Sequence, residues 1–113
     1  MKDLCEGLTA LHDAHPHNQP DQIAIHPVVR LHSETQRRAL YVNQHFTRRI
    51  VELSAEESEA ILKYLLGWIS QPKFSVRYRW RPGTVCIWDN RCTQHNPVND
   101  YHGFKRVMHR ITI

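Results

Sequence analysis

The sequence predicts a β-rich α+β domain, and three observations support this prediction. Five segments have the composition or alternation of β-strands, whereas two have helical periodicity. Short polar turns separate several of the strand candidates, which is typical of antiparallel pairing. The length of 113 residues suits one small domain or a piece of a larger one.

The two predicted helices are marked by different signals. Leucines at helical spacing predict an amphipathic helix over Lys2–Asp13, followed by a polar loop with two prolines at 14–22. The second helix, Ser54–Ser70, begins with a capping box, in which Ser54 and Glu57 each satisfy the other's backbone N–H. Its apolar side chains share one face. They are Ile61, Leu62, Leu65, Leu66 and Ile69.

The predicted strands account for most of the remaining regular structure. The first two strands are joined by a polar turn at 33–37, so we expect them to form a hairpin. The third alternates aromatic or aliphatic side chains with Ser and Arg, which predicts one buried face. The five strands are Ile23–Leu31, Arg38–Asn43, Phe74–Arg81, Thr84–Trp88 and Arg106–Ile113.

The composition argues against a membrane or secreted protein. No apolar run approaches the roughly 20 residues that a bilayer-spanning helix needs. The opening Met-Lys-Asp-Leu-Cys-Glu carries acids where a signal peptide has an apolar region, so we expect a cytoplasmic protein. The three cysteines form no C-x-x-C pair, which predicts reduced thiols.

The net charge of +4 and the nine histidines raise the possibility of nucleic-acid or metal binding. The 15 Lys and Arg residues are interspersed with 11 acids and form no basic block. The aromatic residues of Phe74–Arg81 alternate with basic ones, a pattern that buries them rather than presenting a stacking platform. We therefore expect a small anionic partner and no nucleic acid.

Arg106 and Arg110 are the first candidate binding residues. They are four positions apart on the last predicted strand, so they share a face with their Cα atoms about 13 Å apart. A guanidinium fork suits a carboxylate or a sulfonate. From spacing alone, an exposed basic strand face is equally compatible. His95 follows a predicted strand end, where a ligand could be held, although a lone histidine is more often a surface residue.

Three separate motifs occur in order along nearly the whole chain. They are HPVVRLHSETQRRALYVNQHFTRRIV (26–51), VRYRWRPGTVCIWDNRCTQH (76–95) and KRVMHRITI (105–113). Together they resemble the TauD/TfdA family of Fe(II)- and 2-oxoglutarate-dependent dioxygenases, which includes taurine dioxygenase. The resemblance implies a double-stranded β-helix, a jelly-roll-like barrel with flanking helices, of which residues 1–113 would form the C-terminal part.

The resemblance also implies roles for four residues. His95 takes the place of the distal iron-binding histidine, and Arg106 that of the arginine that binds the distal carboxylate of 2-oxoglutarate. Arg110 matches the arginine that holds the substrate anion in sulfonate-oxidising members, and Phe46 matches an aromatic residue that packs on the substrate there. The implied cofactors are Fe(II), 2-oxoglutarate and O2, which together hydroxylate a substrate C–H bond. The expected substrate is a sulfonate or an alkyl sulfate ester, and a homo-oligomer is compatible with these features.

The family's iron centre also needs an H-x-D or H-x-E pair, which in the family lies upstream of the part resembled here. His32-Ser33-Glu34 is the one such pair in the sequence. It falls in the predicted hairpin turn, where we do not expect an iron ligand. We therefore expect His95 to be the chain's one iron ligand and the isolated chain to be inactive. The alternative is a non-catalytic remnant, or pseudoenzyme, of the same fold that binds small anions.

Overall fold

The structure is a computed structural model, which describes residues 1–112 and confirms the β-rich α+β class. Single turns of 3₁₀ helix cover His15–His17 and Pro72–Phe74. The helices and strands, in chain order, are α1 (Lys2–Glu6), β1 (Thr9–Ala14), β2 (Gln19–Pro27), β3 (Val29–Leu31), β4 (Arg38–Leu40), β5 (Thr47–Ile50) and α2 (Ala55–Ile69).

Strand β1 is the centre of a three-stranded antiparallel sheet with the order β2-β1-β5. Ala10 of β1 lies opposite His26 of β2 on one side and Ile50 of β5 on the other. Ala10 and Ile50 are fully buried, so this register places the core against the middle of the sheet. The register of β1 with β2 shifts between Asp13 and Ala14, the last paired residue of β1.

Helix α2 packs on β5 and completes the core. The predicted capping box is confirmed, with Ser54 and Glu57 bonded reciprocally at the N-terminus. The buried Ser58 Oγ accepts the backbone N–H of Ile50 at 2.8 Å and so ties the helix to the strand. None of the helices within residues 1–112 has the length and apolar character to cross a bilayer. The buried apolar core consists of Cys5, Leu8, Ala10, Val28, Val42, Ile50, Leu62 and Leu65.

The predicted hairpin is present as the antiparallel pair β3–β4, with shorter strands than expected. The predicted strand Ile23–Leu31 is interrupted at the fully buried Val28. The Val28 backbone N–H donates to Leu8, and its carbonyl accepts from Tyr41 at 2.7 Å. Val28 therefore links the two sheets through its backbone.

The predicted helix over Lys2–Asp13 is wrong beyond Glu6, because residues Thr9–Ala14 form β1. Leu8, Ala10 and His12 are buried at every second position, which is strand periodicity. Three leucines at helical spacing are a weak signal, and pairing with two neighbouring strands overrides it.

The predicted loop at 14–22 is partly wrong. Asn18 has a left-handed backbone with φ of 57° after the 3₁₀ turn, and the chain enters β2 at Gln19. Pro20 is compatible with a strand here because β2 is an edge strand, where a missing N–H can face solvent.

The three strands predicted after residue 73 are not formed within residues 1–112, where the last strand is β5. Alternating side chains favour an extended backbone, but a strand also needs a hydrogen-bonding partner. Val76, Ile87 and Ile111 are instead strongly exposed. The radius of gyration is accordingly 16.3 Å, against about 13 Å for a compact domain of this size. Ile113, the end of the last predicted strand, lies outside the described residues.

Candidate functional site

The predicted iron ligand His95 follows a tight loop that is folded around Asp89. The backbone carbonyl of Asp89 accepts the N–H groups of Cys92 at 3.3 Å and Thr93 at 3.0 Å. The Asp89 side chain accepts the N–H of Arg91 at 2.8 Å, an Asx-type turn that explains why the chain reverses here. The sequence thus specifies a compact loop just before His95.

This loop is held against the β3–β4 hairpin by side chains. The carboxylate of Asp89 receives Nε and Nη2 of Arg91 at 3.0 and 2.7 Å, a bidentate contact. Arg91 Nη1 continues to Ser33 Oγ at 3.2 Å. His32 Nε2 lies 3.2 Å from the second oxygen of Asp89. We refer to His32, Ser33, Asp89 and Arg91 as the Asp89 cluster.

The tautomer of His32 follows from its neighbours. Its Nδ1 accepts the backbone N–H groups of Glu34 and Thr35, both at 3.2 Å. The ring proton of the neutral imidazole is therefore on Nε2 and is donated to Asp89. Because both nitrogens are engaged within the molecule, His32 holds the hairpin turn and the loop together.

Asp89 is an anion throughout the neutral range. The hydrogen bonds from the Arg91 side chain, followed by those from its backbone, hold the pKa of Asp89 well below its usual range. The same pairing raises the pKa of Arg91. In the described part of the chain, His32, Asp89 and Cys92 form the one group of three potential metal ligands, with ligand atoms within 4.8 Å of one another. The ring nitrogens of His32 and the oxygens of Asp89 already bind protein donors, which favours an ion-pair cluster over a metal site.

Sequence reasoning missed Asp89 and Arg91 as site residues. The available signal was Asp89-Asn90-Arg91 immediately after a predicted strand, where a turn-forming acid is followed by a guanidinium. Their partner His32 lies in a different motif, 57 positions away from Asp89.

His95 itself is exposed, and its ring lies against Trp88 with centroids 5.1 Å apart. The neighbouring Gln94 donates from Nε2 to the backbone carbonyl of Val42 at 2.9 Å. An Fe(II) centre of the facial type needs two histidines and a carboxylate. The exposed imidazole of His95 suits one of these positions, and within residues 1–112 no pair of further ligand atoms surrounds it. The described residues thus offer one candidate ligand for the iron, His95.

The two candidate anion-binding arginines differ in environment. Arg106 is half-buried, and its guanidinium lies 5.2 Å from the centre of the Tyr101 ring. Arg110 is exposed. Because the last predicted strand is not formed within the described residues, their common orientation stays a prediction.

Phe46 lies in a separate, open cavity of about 600 Å³ beside β1 and β2. It is half-buried, and its backbone N–H donates to Asn43 Oδ1 at 2.7 Å in the turn before β5. None of His95, Arg106 and Arg110 belongs to the lining, so Phe46 stands apart from the other candidate residues. The side chains that line this cavity include His12, Asp13, Asp21, His26, Tyr41 and Phe46.

His12, which lines this cavity, is a buried histidine that sequence reasoning did not select. Its Nδ1 lies 3.4 Å from Thr47 Oγ1, and its Nε2 is buried without a partner among the described residues. Burial, with a smaller contribution from His26 at 5.3 Å between ring centroids, lowers the pKa of His12. His12 is therefore a neutral imidazole at physiological pH.

Comparison with known proteins identifies close relatives of the chain. It is 42% identical over 123 aligned residues to an alpha-ketoglutarate-dependent dioxygenase of Penicillium expansum, covering 95% of this chain and 34% of that protein. It is 42% identical over 88 residues to an alpha-ketoglutarate-dependent sulfate ester dioxygenase of Pseudomonas putida, covering 78% and 29%. The structure is similar to the crystal structure of a taurine dioxygenase from Burkholderia xenovorans, with a TM-score of 0.66, 36% identity, and coverage of 73% and 29%.

The chain spans about a third of the length of these relatives. The sequence model of a single family, described as "Taurine catabolism dioxygenase TauD, TfdA family", matches residues 1–112. That match contains the hairpin, the Asp89 cluster and the candidate residues Phe46, His95, Arg106 and Arg110. The chain therefore belongs to the TauD/TfdA dioxygenase family.

Proposed function

We propose that this chain supplies one iron ligand and the anion-binding residues of an Fe(II)- and 2-oxoglutarate-dependent dioxygenase. The substrate is a small organic anion, a sulfonate or an alkyl sulfate ester. The observation that carries the proposal is the family match over residues 1–112, which includes His95, Arg106 and Arg110 at their motifs. The Pseudomonas putida relative is named for sulfate esters and the Burkholderia xenovorans structure for taurine, a sulfonate, which supports this substrate class.

Each candidate residue has a defined task in this proposal. His95 would hold the iron, which together with O2 supplies the oxidising chemistry when bound. Arg106 would pair with the distal carboxylate of 2-oxoglutarate, because a guanidinium fork matches the two carboxylate oxygens. Arg110 would hold the anionic group of the substrate, and Phe46 would pack on its apolar part.

The two other iron ligands would be residues other than those at 1–113. The proposal also assigns the jelly-roll barrel to a larger assembly, in which the extended segments after residue 73 pair with further strands. The strong exposure of Val76, Ile87 and Ile111 supports this assignment, because apolar side chains at alternate positions of a strand are normally covered.

A second candidate is a binding module for small anions that has the family fold without its catalysis. The observation that favours it is that, within the described residues, the one group of three potential metal ligands does not include His95. Such a module would bind 2-oxoglutarate or a sulfonate through its arginines and would release no succinate.

A chimeric enzyme tests the two candidates. Residues 1–113 replace the segment of the Pseudomonas putida sulfate ester dioxygenase that contains its alignment with 78% of this chain, and the unaltered relative serves as the positive control. We expect substrate-dependent release of succinate from 2-oxoglutarate, and loss of that release in His95→Ala. A folded, iron-containing chimera that releases no succinate would contradict the dioxygenase proposal and favour the binding module. If this chimera does not fold, the same exchange in the Penicillium expansum relative provides the test.

A further inference from the structure

Three side-chain hydrogen bonds connect residues 76–112 to the rest of the described chain, and each of them involves a residue of the loop at 89–94. His32 bonds to Asp89, Arg91 bonds to Ser33, and Gln94 bonds to the backbone of Val42. By contrast, the ion pair between Arg77 and Asp100 lies within the C-terminal segment. The loop before His95 is thus the point at which this segment is attached.

The attachment holds the loop at both ends. Asp89 and Arg91 fix its start to the hairpin turn, and Gln94 fixes its end to a fully buried residue, Val42. Between these points, Thr93 donates its N–H to the carbonyl of Asp89 at 3.0 Å, which keeps the loop compact. His95 is the residue immediately after the second attachment.

We propose that the Asp89 cluster, together with Gln94, positions His95 relative to the β3–β4 hairpin. The position of the loop is independent of the proposed function. The expectation that a displaced His95 binds iron more weakly rests on the proposed function. His32, Asp89, Arg91 and Gln94 are positioning residues in this account, since they act through the loop.

The strength of this attachment comes from geometry rather than from charge alone. The side chain of Arg91 is 54% exposed, so solvent screens its attraction to Asp89. Its Nε and Nη2 nevertheless both donate to Asp89 and its Nη1 donates to Ser33, which fixes the guanidinium in one orientation. A lysine at this position keeps the charge but cannot make this set of contacts.

The first test measures order in the intact chain of 113 residues. The backbone ¹⁵N heteronuclear NOE is compared between residues 91–95 and the hairpin, in the wild type and in Arg91→Lys and Asp89→Asn. We expect residues 91–95 to be as ordered as the hairpin in the wild type and to lose order in both variants, while α2 is unchanged. The matched control is Arg77→Lys, which alters an exposed arginine–aspartate pair of the same segment and should leave residues 91–95 unchanged.

The result that would overturn the proposal is equal order of residues 91–95 in the wild type and in both cluster variants. A wild type in which this loop moves independently of the hairpin would overturn it as well. Neither result bears on the dioxygenase proposal, because the measurement involves no iron.

The second test measures iron affinity in the chimeric enzyme. Changes to residues that orient a metal ligand typically weaken metal binding by roughly 10- to 100-fold. We expect Arg91→Lys to raise the apparent Fe(II) dissociation constant of the chimera by about tenfold, at the lower end of that range. The thermal unfolding midpoint of the Arg91→Lys chimera should equal that of the Arg77→Lys chimera. If His95→Ala abolishes iron binding and Arg91→Lys leaves it unchanged, the positioning role alone is wrong. If His95→Ala leaves iron binding unchanged, the proposed function is wrong.

Discussion

His32 Nε2 lies 3.2 Å from Asp89 Oδ2, although the two residues are 57 positions apart in the chain. This contact joins the β3–β4 hairpin to the loop that ends at His95. His32 belongs to the one H-x-E sequence of the chain, yet its ring nitrogens bind Asp89 and the backbone of the hairpin turn. The histidine of the H-x-E sequence, which most resembles an iron-binding motif, therefore connects the hairpin to the loop before His95.

Arg106 and Arg110 should affect different ligands of the chimeric enzyme. Replacing a guanidinium by an ammonium removes bidentate contact, and a charge-assisted bond of this kind contributes about 1.5–3 kcal/mol, roughly ten- to a hundredfold in binding. Arg106→Lys should raise the KM for 2-oxoglutarate and leave that for the substrate nearly unchanged, and Arg110→Lys should do the reverse. Steady-state kinetics with each ligand varied in turn provide the measurement. Equal effects of both variants on both constants would contradict the separate roles.

Ser58→Ala should destabilise the chain markedly. Ser58 is buried, and its hydroxyl accepts the N–H of Ile50 from the centre of the core. The variant leaves this N–H without a partner, which costs about 1–3 kcal/mol in the free energy of unfolding. Urea titration of the wild type and the variant measures the difference. Ser75→Ala, at an exposed serine outside the helix, is the matched control and should stay within about 0.5 kcal/mol of the wild type.

The ion pair between Asp13 and Arg48 should make stability depend on pH in the acid range. The hydrogen bond from the Arg48 side chain is the main cause that lowers the pKa of Asp13 from 3.8 to about 2. The folded state binds the carboxyl proton of Asp13 less tightly than the unfolded state does. The stabilisation by the Asp13–Arg48 ion pair is therefore fully present above the pKa that Asp13 has in the unfolded state. It is lost as the pH falls toward the folded pKa.

We therefore expect Asp13→Asn to lower the urea midpoint at pH 7 and to flatten its decline between about pH 5 and pH 2. The control is Asp21→Asn, at an exposed aspartate of the adjacent strand, which should keep the wild-type decline. A decline in Asp13→Asn as steep as that of the wild type would show that the ion pair does not contribute.

Local signals in the sequence predicted the elements whose structure depends on neighbouring residues. The capping box of Ser54 and Glu57 marked the start of α2, and the polar turn at 33–37 marked the hairpin. The motifs also indicated the family, and the match of the family model over residues 1–112 confirms it. The capping box, the turn and each single motif are contained in a short stretch of chain.

The features that were missed depend on distant partners. Leu4, Leu8 and Leu11 fit a helix, whereas pairing of β1 with two other strands determines the observed structure. The strands expected after residue 73 have the right alternation but no ladder partner within residues 1–112. The contact of Asp89 with His32 follows from the arrangement of the hairpin and the loop in space, which neither motif contains.

The iron content of the chimeric enzyme tests the central claim most directly, namely that His95 is the iron ligand of this chain. The chimera and its variants are loaded with Fe(II) without oxygen, freed of excess metal and assayed for iron per chain. We predict an equimolar amount of iron in the chimera, none in His95→Ala, and an equimolar amount in the control His102→Ala, which removes another exposed histidine of the same segment. A full complement of iron in folded His95→Ala would contradict the account.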